Sequence, residues 1–324
     1  MMKPLTPAAE KAYINKLLAD DKRVTGLSSD YYQQALQNIL AHLNYYLLRY
    51  GVDGVLKYVN LLKRNDADAL AEVDRADRTA KLDKSTDQQA SQHERLLTAQ
   101  AKVSRYEALN ALIGWSVAGA SLSTINLLAK TLKSDYRDNL SRQYQANKAL
   151  IKAADLDVDG TRTTRRQLLK NADKVIYTSV NGNQWSTGIW SYNDELVKNV
   201  QNLIAKNLRH GLNQQDLSRL FPSIRAKRSG TVNELFDINN NYIKRMIVTE
   251  RARVLYSASV KMMRSTGVDT FLWVTQNGAC PRCQDIESGN PYSLEDPDAP
   301  TIPDSSHPNC RCTIMPYSGD VKTP

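Results

Sequence analysis

The stretch CPRCQDIESGNPYSLEDPDAPTIPDSSHPNCRC, residues 280–312, decides the architecture, because it separates two kinds of chain. It carries all four cysteines, Cys280, Cys283, Cys310 and Cys312, together with His307. Pro, Asp, Ser and Gly dominate between them, and only Ile286, Tyr292, Leu294 and Ile302 offer apolar surface to bury. Such a loop gains too little from burial to order itself, and metal ligation is a physical way to fix it. The Cys280-x-x-Cys283 spacing turns two sulfurs toward one point, and His307, Cys310 and Cys312 supply three further donors. Zinc takes four such donors in a tetrahedron, and a closed set of four is structural. Five candidates leave one spare. Free thiols and a disulfide remain alternatives at this point. A catalytic zinc would need an open position, with Asp285 or Glu287 as base, and the number of thiolates favours a structural ion instead.

Outward from this stretch the chain changes character. Eight of the 11 prolines fall from Pro281 onward, and none lies between Pro7 and Pro222. Long helices permit such a gap, because proline removes a donor and clashes with the preceding turn. The expected fold is mainly α: a helical N-terminal domain followed by a smaller α+β domain ending in a Cys/His zinc-knuckle-like loop. The expected blocks are 1–154 (all-α), 155–276 (α+β) and 277–324 (knuckle and tail).

Thr6-Pro7 predicts a helix start, with Thr6 as N-cap. A second helix is predicted over 29–50, with Leu36, Ile39, Leu43 and Leu47 at spacings of three and four, stopped by Gly51 as a left-handed cap. Further helices are predicted over 53–64 and 66–82, and a Ser85/Gln88 capping box opens a helical region to about 154. Beyond it, helices are predicted over 193–210, just before Pro222, and over 239–265. Residues 175–192 read as a short hairpin or an irregular linker with two buried tryptophans, and 270–276 as a strand.

Residues 108–129 carry no formal charge. Their length reaches that of a membrane span, but Asn110, Thr124, Asn126 and three serines make a poor lipid helix, and a buried core or partner-facing helix is expected. Gly114 and Gly119 would allow close packing or a break. Asp155 to Gly160 matches the first half of a calcium loop, but Arg166 stands where the twelfth-position glutamate belongs, so a polar turn is expected instead. His42, His93 and His210 are expected as surface or core residues rather than ligands. No Gly-rich phosphate loop, nucleophile elbow or HExxH is present, so no catalytic activity is expected.

Mean hydropathy of −0.50 and 24% charged residues fit a soluble globular chain. The 324 residues carry a formal net charge of +9, which draws a protein to polyanions. Residues 201–278 hold 12 Lys+Arg against 5 Asp+Glu, whereas 279–324 hold 3 against 7. Phosphate contact is therefore expected from the helical body, with Arg165, Arg166, Arg225, Lys227 and Arg228 as candidates. Residues 1–5 lead into a charged helix without an apolar export segment, so synthesis in the cytoplasm is expected.

The segment from about 245 to 316 resembles the phage head-morphogenesis family, the Mu F-like minor head proteins of tailed bacteriophages. The shared order is a helix with Thr249-Glu250-Arg251, Gly267 before a strand with Trp273, Cys-x-x-Cys, and finally His307-Pro308-x-Cys310-Arg311-Cys312. The likeness covers the last 70 residues well and extends weakly back to about residue 190. Upstream it is one of layout alone. The resemblance implies a minor component of the virion head, at the portal vertex or capsid interior, acting in head assembly and in DNA packaging or delivery. Its implied partners are the portal protein, other head or scaffold proteins, and double-stranded DNA bound without sequence preference; no stable membrane insertion is expected. Thr249 and Glu250 are then expected to tie the helix to the strand or the zinc loop, with Glu250 paired to Arg251, Arg253 or Arg311, and Trp273 and Arg311 to serve structure. Arg311, between two thiolates, is expected to neutralise them. The rivals are a zinc-dependent hydrolase or nuclease acting on DNA, and a phage-encoded DNA-binding regulator.

Overall fold

A computed structural model describes residues 5–153, 165–178, 184–222 and 229–319. The protein is mainly α, with one small sheet and a cysteine-rich cluster near the C-terminus. In chain order the helices are α1 (Pro7–Tyr50), α2 (Tyr58–Leu61), α3 (Ala67–Ala80), α4 (Gln88–Ala101), α5 (Arg105–Ala153), α6 (Arg165–Lys170), α7 (Ala172–Ile176), α8 (Trp185–His210), α9 (Gln214–Leu220) and α10 (Val232–Thr266). Then follow β1 (Thr270–Val274), α11 (Pro281–Ser288), β2 (Tyr292–Ser293) and β3 (Thr313–Pro316).

The chain forms two compact units: residues 1–25, 128–185 and 245–324, and residues 26–127 and 186–244. These do not follow the consecutive blocks 1–154, 155–276 and 277–324. The reason is that the boundaries fall inside α1, α5 and α10, helices too long to belong to one block.

In the second unit, α1 passes through residues 26–29 without the break expected before residue 29. Gly26 has open space around it, and Ser28 is buried with its hydroxyl 3.2 Å from that of Thr124. At the other end, Gly51 is not a left-handed cap. A side chain there would meet the Leu47 carbonyl oxygen at 2.3 Å, so close approach demands glycine. The helix expected over 53–64 is mostly a turn, with Asp53 and Gly54 both at positive φ between the bridged Val52 and Val55. Asp-Gly is the usual chemistry of that turn. Asp87, rather than Ser85, caps α4, accepting from the amides of Gln89 and Ala90. The apolar run of α5 is buried over 72% of its most hydrophobic window. Gly114 and Gly119 there serve packing, against Leu97 and Ala80. Residues 185–192 are helical, which replaces the hairpin reading, although Trp185 and Trp190 are both buried as the linker reading had them. A buried polar network centres on Asn193, which donates to Tyr32 at 2.8 Å and Ser121 at 2.6 Å and accepts from Asn239 at 2.9 Å.

The first unit holds the sheet, ordered β2-β1-β3 and antiparallel throughout. Phe271, Trp273 and Ile314 join Leu150, Met263, Val268, Cys283, Cys310 and Cys312 in one apolar cluster. The cysteines are thus built into a core, where sulfur packs as a small hydrophobe.

Candidate metal centre

Backbone geometry sets the first pair of donors. Cys280 caps α11 in extended conformation, Pro281 opens the helix, and Cys283 sits one turn on, its amide donating to the Cys280 carbonyl at 3.0 Å. The second set comes from the turn before β3. There the Cys310 amide donates to the His307 carbonyl at 3.1 Å, and Asn309 takes a left-handed φ of 72°. Asn tolerates that conformation better than other side chains do.

All five sequence-derived donors meet, as two overlapping triads: Cys280, Cys283 and His307, and Cys283, Cys310 and Cys312. Within each triad the donor atoms lie within 4.8 Å of one another. Cys283 belongs to both, and its sulfur is 3.7 Å from that of Cys310. Two thiolates on one tetrahedral zinc stand about 3.8 Å apart, given bonds of about 2.3 Å. His307 places Nδ1 2.8 Å from the Pro308 carbonyl, which leaves the Nε2 lone pair for a metal.

The protons are unevenly held. The Cys312 thiol and backbone amide donate to the Cys310 sulfur and hold its pKa down at about 5, while Cys312 is pushed far up by the same bond and by burial. Burial and the Cys310 charge raise Cys283 to about 12. The Cys283 amide lowers Cys280, and the Pro308 carbonyl raises His307, helped by both neighbouring sulfurs. A cluster of this kind can take a cation in place of protons. It can hold a metal ion.

Other elements tie down the surroundings. Thr249 of α10 accepts the Asn309 amide at 3.0 Å, a direct tie to the knuckle turn. Glu250 accepts from Arg253 at 2.7 Å, and Arg253 in turn donates to the carbonyls of Val175 and Ile176 at 3.0 Å each. Trp273 is fully buried, and Asn290 bonds both its amide (2.7 Å) and its carbonyl (2.8 Å). Of the two bases nominated for a catalytic zinc, Glu287 is committed to Thr275, accepting from its amide at 3.0 Å and its hydroxyl at 2.6 Å, whereas Asp285 is exposed.

Arg311 departs from expectation. Its guanidinium does not neutralise the thiolates but donates twice to Asp21 of α1. Asp21 also accepts from Arg251 at 2.7 Å, and Arg251 reaches Asp20 at 2.6 Å and Asp135 at 2.7 Å. A buried carboxylate attracts a guanidinium because neither charge has water to fall back on. Nearby, Glu10 is fully buried between Arg142 and the Thr313 hydroxyl. One signal of this acidic network lies in the spacing: Asp21 falls on the stripe of Ile14, Leu17 and Val24, all buried.

Arg225, Lys227 and Arg228 lie outside the described residues, as does the calcium-like stretch 155–160; Arg165 and Arg166 begin α6, where Arg166 is exposed. Comparison with family models, with curated proteins and with solved structures finds no match for this chain.

Proposed function

We propose that this protein is a minor head protein of a tailed bacteriophage, a capsid-interior, portal-associated component that acts in head assembly and DNA packaging or delivery. The observation that supports this most is the bond from the Asn309 amide to Thr249. The family-like helix and the HPxCRC ending, 60 residues apart, are partners in one folded unit, as a shared motif order requires. The net charge of +9 suits a protein that works beside double-stranded DNA.

The metal in this reading is structural zinc. Cys280-x-x-Cys283 and His307-x-x-Cys310 have the same spacing, and together they make a Cys3His set. Cys312 is the spare donor, bonded to the Cys310 sulfur. Zinc here would neutralise thiolates and fasten the start of α11 to the turn before β3. The commitment of Glu287 to Thr275 removes one of the two bases nominated for the hydrolase reading and leaves Asp285.

Two assays test the role. Peptide mass spectrometry of purified particles of the phage encoding this chain should find it in full heads, at a copy number far below that of the major capsid protein. Purified protein should bind unrelated duplexes equally, with affinity falling steeply as salt rises. Absence from particles, or metal-dependent cleavage of the duplex, would contradict the proposal.

A further inference from the structure

A cleft of about 750 Å³ opens in the second unit, between the segment of α1 after Gly26, α3 and the first half of α5. Its size is that of small-molecule sites. At its wall stands His42, mostly buried, with Nδ1 2.9 Å from Glu72 Oε1. The other Glu72 oxygen accepts from Arg75 at 2.7 Å. Both carboxylate oxygens are thereby occupied, and the carboxylate holds the imidazole with Nδ1 as donor. The His42 Nε2 has no hydrogen-bond partner among the described residues.

The rim is cationic. Arg75, Lys81 and Lys84 line the cleft against the single carboxylate of Glu72, and neither lysine forms an ion pair among the described residues. Lys81 holds a left-handed φ of 56° at the end of α3, a position where glycine is normal. Strained non-glycine residues of this kind concentrate at ligand sites. The remaining wall mixes amides and hydroxyls with apolar groups such as Trp115 and Leu122; Gln34 and Asn38, bonded at 2.9 Å, and Asn126 supply the amides. Amides and hydroxyls pair with polyols, and clustered cations with phosphate.

We propose that this cleft binds a small phosphorylated polyol, a sugar phosphate, with Arg75, Lys81 and Lys84 on the phosphate and one hydroxyl donating to Nε2 of His42. Burial lowers the His42 pKa against the pull of Glu72, which keeps the ring neutral and its lone pair available. The site shares no residue with the metal centre and does not depend on the phage assignment.

The chain has only four histidines, so imidazole nitrogen–proton correlation spectra of the full-length protein are tractable. The probes are ribose 5-phosphate, ribose and inorganic phosphate, with His42→Gln assigning the signal. The expected result is a saturable shift of the His42 resonances with ribose 5-phosphate, at least tenfold weaker with either half alone. In Lys81→Ala/Lys84→Ala, two exposed changes, the free His42 signal should stay in place and the response should fall at least tenfold. A short oligothymidylate shifting the same signal at lower concentration would support the site and name nucleic acid as the source of the sugar phosphate. No saturable shift with any probe, an unchanged response in the double lysine variant, or inorganic phosphate binding as tightly as ribose 5-phosphate would overturn the proposal.

Discussion

Asp21 near the start of the chain and Arg311 near its end form a buried ion pair in which one carboxylate takes two guanidinium hydrogen bonds. Arg311 is 1% exposed and Asp21 8%. Since Arg251 uses the same carboxylate, Asp21→Ala leaves two buried cations short of a partner. Breaking one side of a buried pair costs about 3–5 kcal/mol. Denaturant unfolding of Asp21→Ala should show a loss of that order, whereas Asp20→Ala, whose carboxylate is 34% exposed, should lose much less.

Thr249 gives a smaller and more local prediction. Thr249→Val removes the acceptor of the Asn309 amide while keeping the shape of the side chain. The expected cost is about 1 kcal/mol. Because the bond holds the knuckle turn, the variant should also lose its metal to a chelator faster than the parent does, measured as release into a zinc-sensitive dye.

Core packing of α5 is tested at Gly119, where an added Cβ would stand 3.3 Å from the Cα of Ala80. Backbone on the far side cannot swing away. Gly119→Val should destabilise by about 1–3 kcal/mol through overpacking. A helix whose apolar run were free to enter lipid would tolerate the change, so thermal unfolding separates the two readings.

His93 sets a pH dependence. Its ring stacks on Trp190 with centroids 4.4 Å apart, and its nitrogens face the Gln89 carbonyl at 2.8 Å and Asp194 at 2.7 Å. Burial alone would lower its pKa, but these two acceptors outweigh burial and raise it. A raised folded pKa means that the contribution is fully present below the unfolded value of about 6.5 and is lost as pH rises through the folded value. The difference in stability between the parent and His93→Gln should therefore be largest below pH 6 and shrink above that range.

The helical body was legible because its signals are local. Caps such as Thr6 and Asp66, the apolar stripes and the absence of proline all act within a few residues of themselves. Errors came where a local signal was outvoted. Gly26 in a long helix costs only about 1 kcal/mol relative to alanine, too little to end α1 when the flanking turns are buried. The tail was half legible. The convergence of Cys280, Cys283, His307, Cys310 and Cys312 followed from spacing, but α11 and β2 did not, since their order depends on Asn290 reaching the backbone of Trp273 in β1 and Glu287 that of Thr275 just after it. Bonds of that range leave no trace in periodicity. The partner of Arg311 was hidden for the same reason, 290 residues away.

The metal centre is tested by the metal content of the purified full-length chain, by elemental mass spectrometry, for the parent and for Cys280→Ser, Cys310→Ser and Cys312→Ser. A structural zinc on Cys280, Cys283, His307 and Cys310 requires about one zinc per parent chain, its loss together with a fall in Tm in the first two variants, and its retention in Cys312→Ser. No metal in freshly reduced parent protein, or loss from Cys312→Ser equal to that from Cys310→Ser, would contradict it.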